Sequence, residues 1–571
     1  MNFNSKGKEE VTYDAIVIGS GISGGYAAME LCLKGYKTLV LERGRMVKHL
    51  DYPTANLDPW ELPNQNQVTA EEITQHYFKQ NRLSWWVHED NKHWLAKDDE
   101  HPYDETKQFD WIRGNHVGGR SIMWGRHCYR WSDIDFEANA KEGIAVDWPI
   151  RYKDIEPWYD KVETFVGVSG QKEGLKQVPD GKFLKPFPLN CAEQTMRERV
   201  SKKFPLRILT PGRVANLSEY DPKIHLGTRG KCQSRNRCWR GCPYGAYFSS
   251  QSATLPVATA TGNMTLRPDS IVHEIIYDKK TNKATGVRVK DSNTGEMFEY
   301  FARIIFCNAS TVGTTSILLN SRSESFPDGL GNSSGELGHN LMDHHYGMGA
   351  SGTLPGFEDT YYKGRKPMGG FYIPRFRNID KASKRSDYVR GFGYQGGASR
   401  GQNIPGDAMG EDLKKAIFQP GPYWVGMTCF GELLPYHDNK MYLNFDKKDK
   451  HGMPIITFDA ELRENEMALR KDGVTCAEEI LEAAGVKNIS SYNEPSAPGA
   501  AIHEMGTARM GRDKKTSVLN KWNQLHDVPN VFVTDGSCMT SSATQNPSIT
   551  YLALTARAVD YADKQVKVGG L

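Results

Sequence analysis

Hydrophobic positions along the chain fall into three kinds of run. Near the N-terminus, residues 14–18 (DAIVI) and 37–41 (KTLVL) are short and almost continuously apolar, the pattern of strands covered on both faces. Between them, residues 25–34 place Ala27, Ala28 and Leu31 at helical spacing and stop at Gly35, which predicts one helix. Near the C-terminus, residues 530–534 (NVFVT) predict a further strand. Asn546-Pro547-Ser548 then opens an apolar helix over 549–563, where a proline in the first turn gives up no hydrogen bond. The middle of the chain reads differently. Residues 348–352, 370–373, 388–394, 424–432, 441–445 and 455–458 are strand-like runs separated by turn residues, an antiparallel pattern. A helix is predicted over 465–484, stopped by Gly485. The two ends of the chain therefore build one α/β unit, and the middle builds a second on an antiparallel sheet flanked by helices.

The turn between the first strand and helix is Gly19-Ser20-Gly21-Ile22-Ser23-Gly24, and the second strand ends in Glu42-Arg43. Strand, G-x-G-x-x-G, helix, strand and acid make a Rossmann-like dinucleotide site. Gly19 permits the tight turn, Gly21 lets the backbone approach a pyrophosphate, and Gly24 lets helix and strand pack closely. Glu42 lies where a carboxylate meets ribose hydroxyls, and its charge would repel a 2′-phosphate, which disfavours NADP. This motif does not separate NAD from FAD.

Composition narrows the class. At 571 residues the chain exceeds what one core can serve, and a net charge of +3 gives no electrostatic case for nucleic acid. No run reaches the roughly 20 apolar residues of a membrane-spanning helix. The opening MNFNSKGKEEVTYD has neither an apolar export core nor twin arginines, so the expectation is a cytoplasmic protein or one carried out by a partner. Seven of the ten cysteines are scattered and read as buried thiols, but Cys232, Cys238 and Cys242 stand together in KCQSRNRCWRGCPYG. Zinc would need a fourth ligand, and a disulfide needs an oxidising compartment. An iron–sulfur cluster suits the closing Cys-Pro, and three ligands suggest a [3Fe–4S] centre, with Lys231, Arg235, Arg237 and Arg240 offsetting its charge.

The pairing of VIGSGISGG with HEMGTARMG and VFVTDGSCMTSSATQNPSITYLALTARA resembles the glucose-methanol-choline (GMC) oxidoreductase family. Further motifs follow in that family's order. Residues 113–121 (RGNHVGGRS) are similar to its second glycine motif, 265–273 to a strand whose Val272 backbone meets adenine, and 338–344 (GHNLMDH) to its G-x-N-L-x-D-H. The resemblance implies FAD held by Gly19, Gly21, Ile22, Ser23, Gly24, Glu42, Arg43, Gly118, Gly119, Ser121, Met123, Trp124, Val272, Asn308, Asp535, Gly536, Asn546 and Pro547. Where some members carry a flavin-linked histidine, this chain has Ser121-Ile122-Met123-Trp124, which implies non-covalent FAD. Asn308-Ala309-Ser310 stands at a turn that ordinarily holds glycine.

The resemblance also implies the chemistry. His503, in H-x-x-G-T, is the expected base for the substrate hydroxyl, since imidazole titrates near working pH. Asn546 would orient that hydroxyl, and His344 and His345 are read as structural. The cysteine segment is similar to that of GMC dehydrogenases of the glucoside 3-dehydrogenase and gluconate 2-dehydrogenase flavoprotein type. From this comes the expectation of a sugar or glycoside substrate, oxidised at C3 in a glucoside, with Cys232, Cys238 and Cys242 holding [3Fe–4S]. A small subunit bearing an export signal and a cytochrome c acceptor are the expected partners, giving a periplasmic or cytoplasmic location. A GMC oxidase using O2 and a catalytically silent flavin-binding subunit remain open alternatives. The expected division assigns residues 1–60, 105–145, 230–325 (with the cysteines) and 500–571 to the FAD domain. Residues 146–229 and 326–499 go to the substrate domain, and 61–104 to a lid or excursion that includes Trp85, Trp86 and Trp94.

Overall fold

The computed structural model describes residues 8–9, 12–83, 86–357, 369–401 and 404–571. Much of the N-terminal segment behind the export reading, and Trp85, lie outside the described residues.

The cofactor unit is an eight-stranded sheet assembled from distant segments. Tyr13–Ile18 lies at its centre, parallel to Thr38–Leu41 on one side and to Met297–Cys307 on the other. Met264–Arg267 extends it beyond Thr38–Leu41, and Val531–Phe532 joins Met297–Cys307, both in parallel. The antiparallel pair Ser270–Asp278 and Lys283–Asp291 completes the far side. Ala15, Ile16, Val17, Ile305 and Phe306 are fully buried, which explains why the first strand reads apolar without alternation. Helices Ile22–Leu33 and Ser548–Lys567 pack on this sheet and on each other. The helix expected over 25–34 thus begins three residues earlier, at the glycine loop.

The substrate unit is a seven-stranded sheet around Met348–Leu354, Phe371–Ile373, Phe392–Arg400, Tyr423–Glu432 and Lys487–Asn493, covered by Cys191–Lys203 and Glu464–Ala484. Gly485 ends the last of these helices in the left-handed region, at φ 82°. Two expectations for this region are corrected. The strand placed at 388–394 runs from Phe392 to Arg400, because Asn378 Nδ2 donates to the carbonyls of Tyr388 and Arg390 and ties 388–391 into a loop. The strands expected at 441–445 and 455–458 belong to a separate three-stranded sheet, where Pro454–Asp459 pairs in parallel with Asp104–Glu105. Phe458 stacks on Phe109 at 4.0 Å and fixes that alternative pairing.

Part of the segment 61–104 packs into a core. Trp86, Val87 and Trp94 are buried with Ile122 and Met123 of the second glycine motif. Among the described residues, no helix is long and apolar enough to cross a membrane.

Candidate active site

A cleft enclosing about 2060 Å³, its open mouth included, runs from the glycine loop to the start of the last helix. Gly19 sits at φ 93°, and a Cβ there would lie 2.4 Å from the Asn308 carbonyl oxygen. At Gly24 a Cβ would lie 1.9 Å from the Gly19 oxygen, so helix and strand touch through it. Gly21 differs from both: its Cβ would meet nothing within 4 Å, because it faces the cleft. Opposite stands Gly119 of the second glycine motif, at φ 46°. Ser20 joins the two loops, donating through Oγ to Glu42 Oε2 at 2.7 Å and accepting from the Gly118 N–H at 2.8 Å. Glu42 also accepts from the Gly44 N–H at 3.0 Å, and burial raises its pKa.

These residues fit a flavin dinucleotide. The space over Gly21 lies beside the N-terminus of helix Ile22–Leu33, where phosphate charge is favoured. Among the described residues, buried polar atoms on the lining such as Ser23 Oγ, Asn308 Nδ2 and Tyr551 Oη have no hydrogen-bond partner, which a bound group would supply. Ile22, Arg43, Ser121, Met123, Trp124, Val272, Asp535, Gly536 and Asn546 line the same cleft. Gly24, Gly118 and Pro547 do not; they set the loop packing and cap the last helix. The turn at Asn308-Ala309-Ser310 holds Ser310 at φ 68°, so the position demands left-handed backbone and a serine supplies it under strain. Ser310→Gly should raise stability by about 0.5–1 kcal/mol, read as a higher thermal midpoint.

At the far end of the cleft, His503 and Asn546 come together, with Asn546 Nδ2 3.3 Å from His503 Nε2. A third residue joins them. His344 Nδ1 lies 2.8 Å from His503 Nδ1, and His344 Nε2 meets the Ala543 carbonyl oxygen. A carbonyl only accepts, so His344 carries its proton on Nε2 and accepts at Nδ1 from His503 Nδ1–H. His503 Nε2 is thereby left with a lone pair, and Asn546 can donate to it. The reading of His344 as structural is corrected accordingly: it sets the tautomer of His503. His345, buried between strands, keeps its structural role.

The backbone around His503 is held as firmly as the ring. Asp343 accepts from the N–H groups of Gly499 (2.8 Å), Ala501 (3.1 Å) and His503 (2.9 Å). Ile502, β-branched, sits at φ 58°, a conformation that costs about 1–3 kcal/mol and persists because Asp343 pins the turn on both sides. Burial, with Glu504 second, lifts the Asp343 pKa to about 7, and Glu504 itself pairs with Arg120 at 2.6 Å. Asn546 Oδ1 accepts from Gln395 Nε2 at 2.7 Å, so a substrate-sheet residue fixes its orientation.

Burial drives the histidine pKa values of this region down: His503 well below its ordinary value, His116 and His344 to about 4, His127 to about 3. Unfolded imidazoles take up protons near pH 6.5 while these cannot. The histidines' contribution to stability is therefore complete above that pH and is lost as pH falls from about 6.5 towards 3, while Asp343, whose carboxyl keeps its proton up to about 7, contributes in the opposite sense. Denaturant titrations across that window should show unfolding free energy dropping by a few kcal/mol, with proton uptake on unfolding.

The cysteine loop abuts this cleft. Cys232, Cys238 and Cys242 are unpaired and half-buried, and Ser234 N–H and Ala246 N–H reach Cys232 and Cys242 Sγ at 3.4 Å. Among the described residues no group of three His, Cys, Asp or Glu side chains stands ready to hold a single metal ion. Trp239 of the loop packs edge-on against Trp86, which lines the cleft. Two of the four cations expected to offset cluster charge, Arg237 and Arg240, already have carboxylate partners. Arg237 pairs with Asp58, Arg240 with Asp90 at 2.9 Å, and Arg235 reaches Ala55 O and Asn56, clamping the loop to residues 55–58 and to Asp90.

Comparison with known proteins agrees with this geometry. Two sequence patterns of one family, both described as GMC oxidoreductase, match residues 220–346 and 435–555. The chain is 29% identical to a 2-methyl-1,2-propanediol dehydrogenase of Mycolicibacterium austroafricanum, over 97% of this chain and 95% of that one. It is 26% identical to a fructose dehydrogenase large subunit of Gluconobacter japonicus, over 98% and 99%. Among solved structures it is similar in fold to a formate oxidase of Aspergillus oryzae RIB40, with a TM-score of 0.62 at 14% identity and 99% and 100% coverage. With its glycine cradle, its buried carboxylate and a histidine–asparagine pair at the end of one cleft, the chain belongs to the GMC oxidoreductases, FAD-dependent enzymes that act on sugars or alcohols.

Proposed function

We propose that this enzyme is a dehydrogenase of a sugar or glycoside secondary hydroxyl, with C3 of a glucoside, giving the 3-keto sugar, as the favoured position. The observation that carries the reading is His503 Nε2, left as an acceptor by His344 and set 3.3 Å from Asn546. FAD, held without a covalent link in the cleft that Met123 lines, would supply the hydride acceptor. His503 Nε2 takes the hydroxyl proton, and Asn546 orients the oxygen as that proton leaves. The helix starting at Ser548 turns its positive end to the same end of the cleft, which favours negative charge developing there. Anaerobic mixing with a methyl glucoside should bleach the flavin and yield a 3-keto product by NMR. A flavin that no sugar or polyol reduces would overturn the assignment.

The electron exit belongs to the same proposal. Cys232, Cys238 and Cys242 would each ligate one iron of a [3Fe–4S] centre, which supplies one-electron transfer to a cytochrome c-type acceptor. The unpaired thiols, their N–H···S contacts and the Trp239–Trp86 contact with the cleft support it. The name of the fructose dehydrogenase relative, a large subunit, supports a further subunit here, one bearing an export signal. The complex would then work in the periplasm. Protein purified anaerobically should carry about three irons per chain and an oxidised-cluster EPR signal. Iron well below that, with peroxide formed as fast as alcohol is consumed, would favour an oxidase instead.

A further inference from the structure

We propose that His127 binds a second hydroxyl of the substrate, adjacent to the carbinol being oxidised, through a hydrogen bond donated from Nε2. The inference rests on the alcohol-oxidising reading above and names the substrate class as vicinal diols and polyols. His127 lines the same cleft as His503, and its charge is among the influences that lower the His503 pKa. Its Nδ1 is 3.0 Å from the Tyr129 hydroxyl. Tyr129 is fully buried, its ring stacked on Tyr372 of the substrate sheet with centroids 3.9 Å apart.

The hydrogen-bond polarity follows from what the tyrosine can do. Among the described residues, the Tyr129 hydroxyl has His127 Nδ1 as its hydrogen-bond partner. If Nδ1 carried the ring proton, the hydroxyl would accept it and leave its own O–H unsatisfied in the interior, a cost of about 1–3 kcal/mol. The satisfied arrangement has Tyr129 donating to Nδ1, which leaves the ring proton on Nε2. Burial keeps both groups neutral, raising the tyrosine pKa and lowering that of the histidine. The cleft therefore presents two imidazoles of opposite polarity. His503 Nε2 accepts, and suits the hydroxyl that must lose its proton. His127 Nε2–H donates, and suits an oxygen that keeps its proton. A monohydric alcohol can use only the first. A protonated amine beside the carbinol, which has no lone pair to offer, cannot use the second.

The test compares propane-1,2-diol with propan-2-ol as reductants of the flavin in the holoenzyme. Wild type should prefer the diol, and His127→Leu should lower the diol-to-monoalcohol ratio of kcat/KM by about 10- to 100-fold. His127→Gln, which keeps an N–H donor, should restore part of it. Tyr129→Phe, which frees the tautomer, should lower the ratio by less. A ratio unchanged in His127→Leu overturns the proposal, as does an equal fall for both alcohols. Binding measured by perturbation of the flavin spectrum in a His503→Ala background separates this from the catalytic reading. There the diol should still bind more tightly than propan-2-ol, and addition of His127→Leu should remove the difference. If no alcohol reduces the wild-type flavin, the catalytic reading fails, and the subsite stands or falls on that binding difference alone.

Discussion

His503→Ala should leave a folded, flavin-loaded protein whose rate of flavin reduction by substrate is about 10²- to 10⁴-fold lower than wild type. The size follows from the site: Nε2 is the one acceptor that the His344–His503 pair leaves facing Asn546, and Asn546 cannot take a proton. Burial first, and then His344, holds the His503 pKa well below its ordinary value. The base is thus unprotonated throughout the neutral range, so the acid limb of the wild-type kcat/KM profile lies well below pH 6.5 and should be absent from the variant. Stopped-flow reduction under anaerobic conditions measures both quantities. Reduction within threefold of wild type would remove His503 from the chemistry and revive the reading of a silent flavin-binding subunit.

Gly21→Val should give a protein that folds but purifies almost free of flavin, with affinity for FAD reduced at least about 100-fold. The reasoning is steric. A Cβ at residue 21 meets no protein atom within 4 Å, and its φ of −66° suits any residue, so the apoprotein accepts a small side chain there. The volume it fills is the space over the helix N-terminus where a pyrophosphate must lie. Gly24→Ala is the contrasting case, because its Cβ would stand 1.9 Å from the Gly19 oxygen and would break the strand–helix contact itself. Visible flavin absorbance relative to protein absorbance, together with a thermal melt, distinguishes the two. A flavin-replete Gly21→Val protein would place the dinucleotide elsewhere.

The parts of this molecule that the sequence declares are those whose function is local. Gly19, Gly21, Gly24 and Glu42 act within one strand–turn–helix–strand unit, so spacing alone conveys their roles. His344 does not, since its partner lies 159 residues away and only the folded chain brings the rings within 2.8 Å. His127 is silent for the same reason: its meaning depends on Tyr129 being buried against Tyr372 from another domain. The acid partners of Arg237 and Arg240 were not legible because charge reveals a need for a counter-ion but not which one, and Asp58 and Asp90 lie 179 and 150 residues away in sequence. The strand displaced from 388–394 to Phe392–Arg400 failed on composition, as glycines and polar residues at 395–400 hide a strand that cross-strand pairing nonetheless holds. Ser310 was anomalous in sequence and became intelligible once its φ was known.

The cofactor sheet takes its strands from both ends of the chain, and the cleft is closed by Asn546, Ser548 and Tyr551. During synthesis the glycine loop emerges early, but the far wall does not exist until nearly the whole chain has been made. A complete flavin pocket therefore requires a chain made past Tyr551, and cofactor loading cannot precede that point. Nascent chains arrested before residue 530 would carry the fingerprint of a nucleotide-binding protein and retain no flavin.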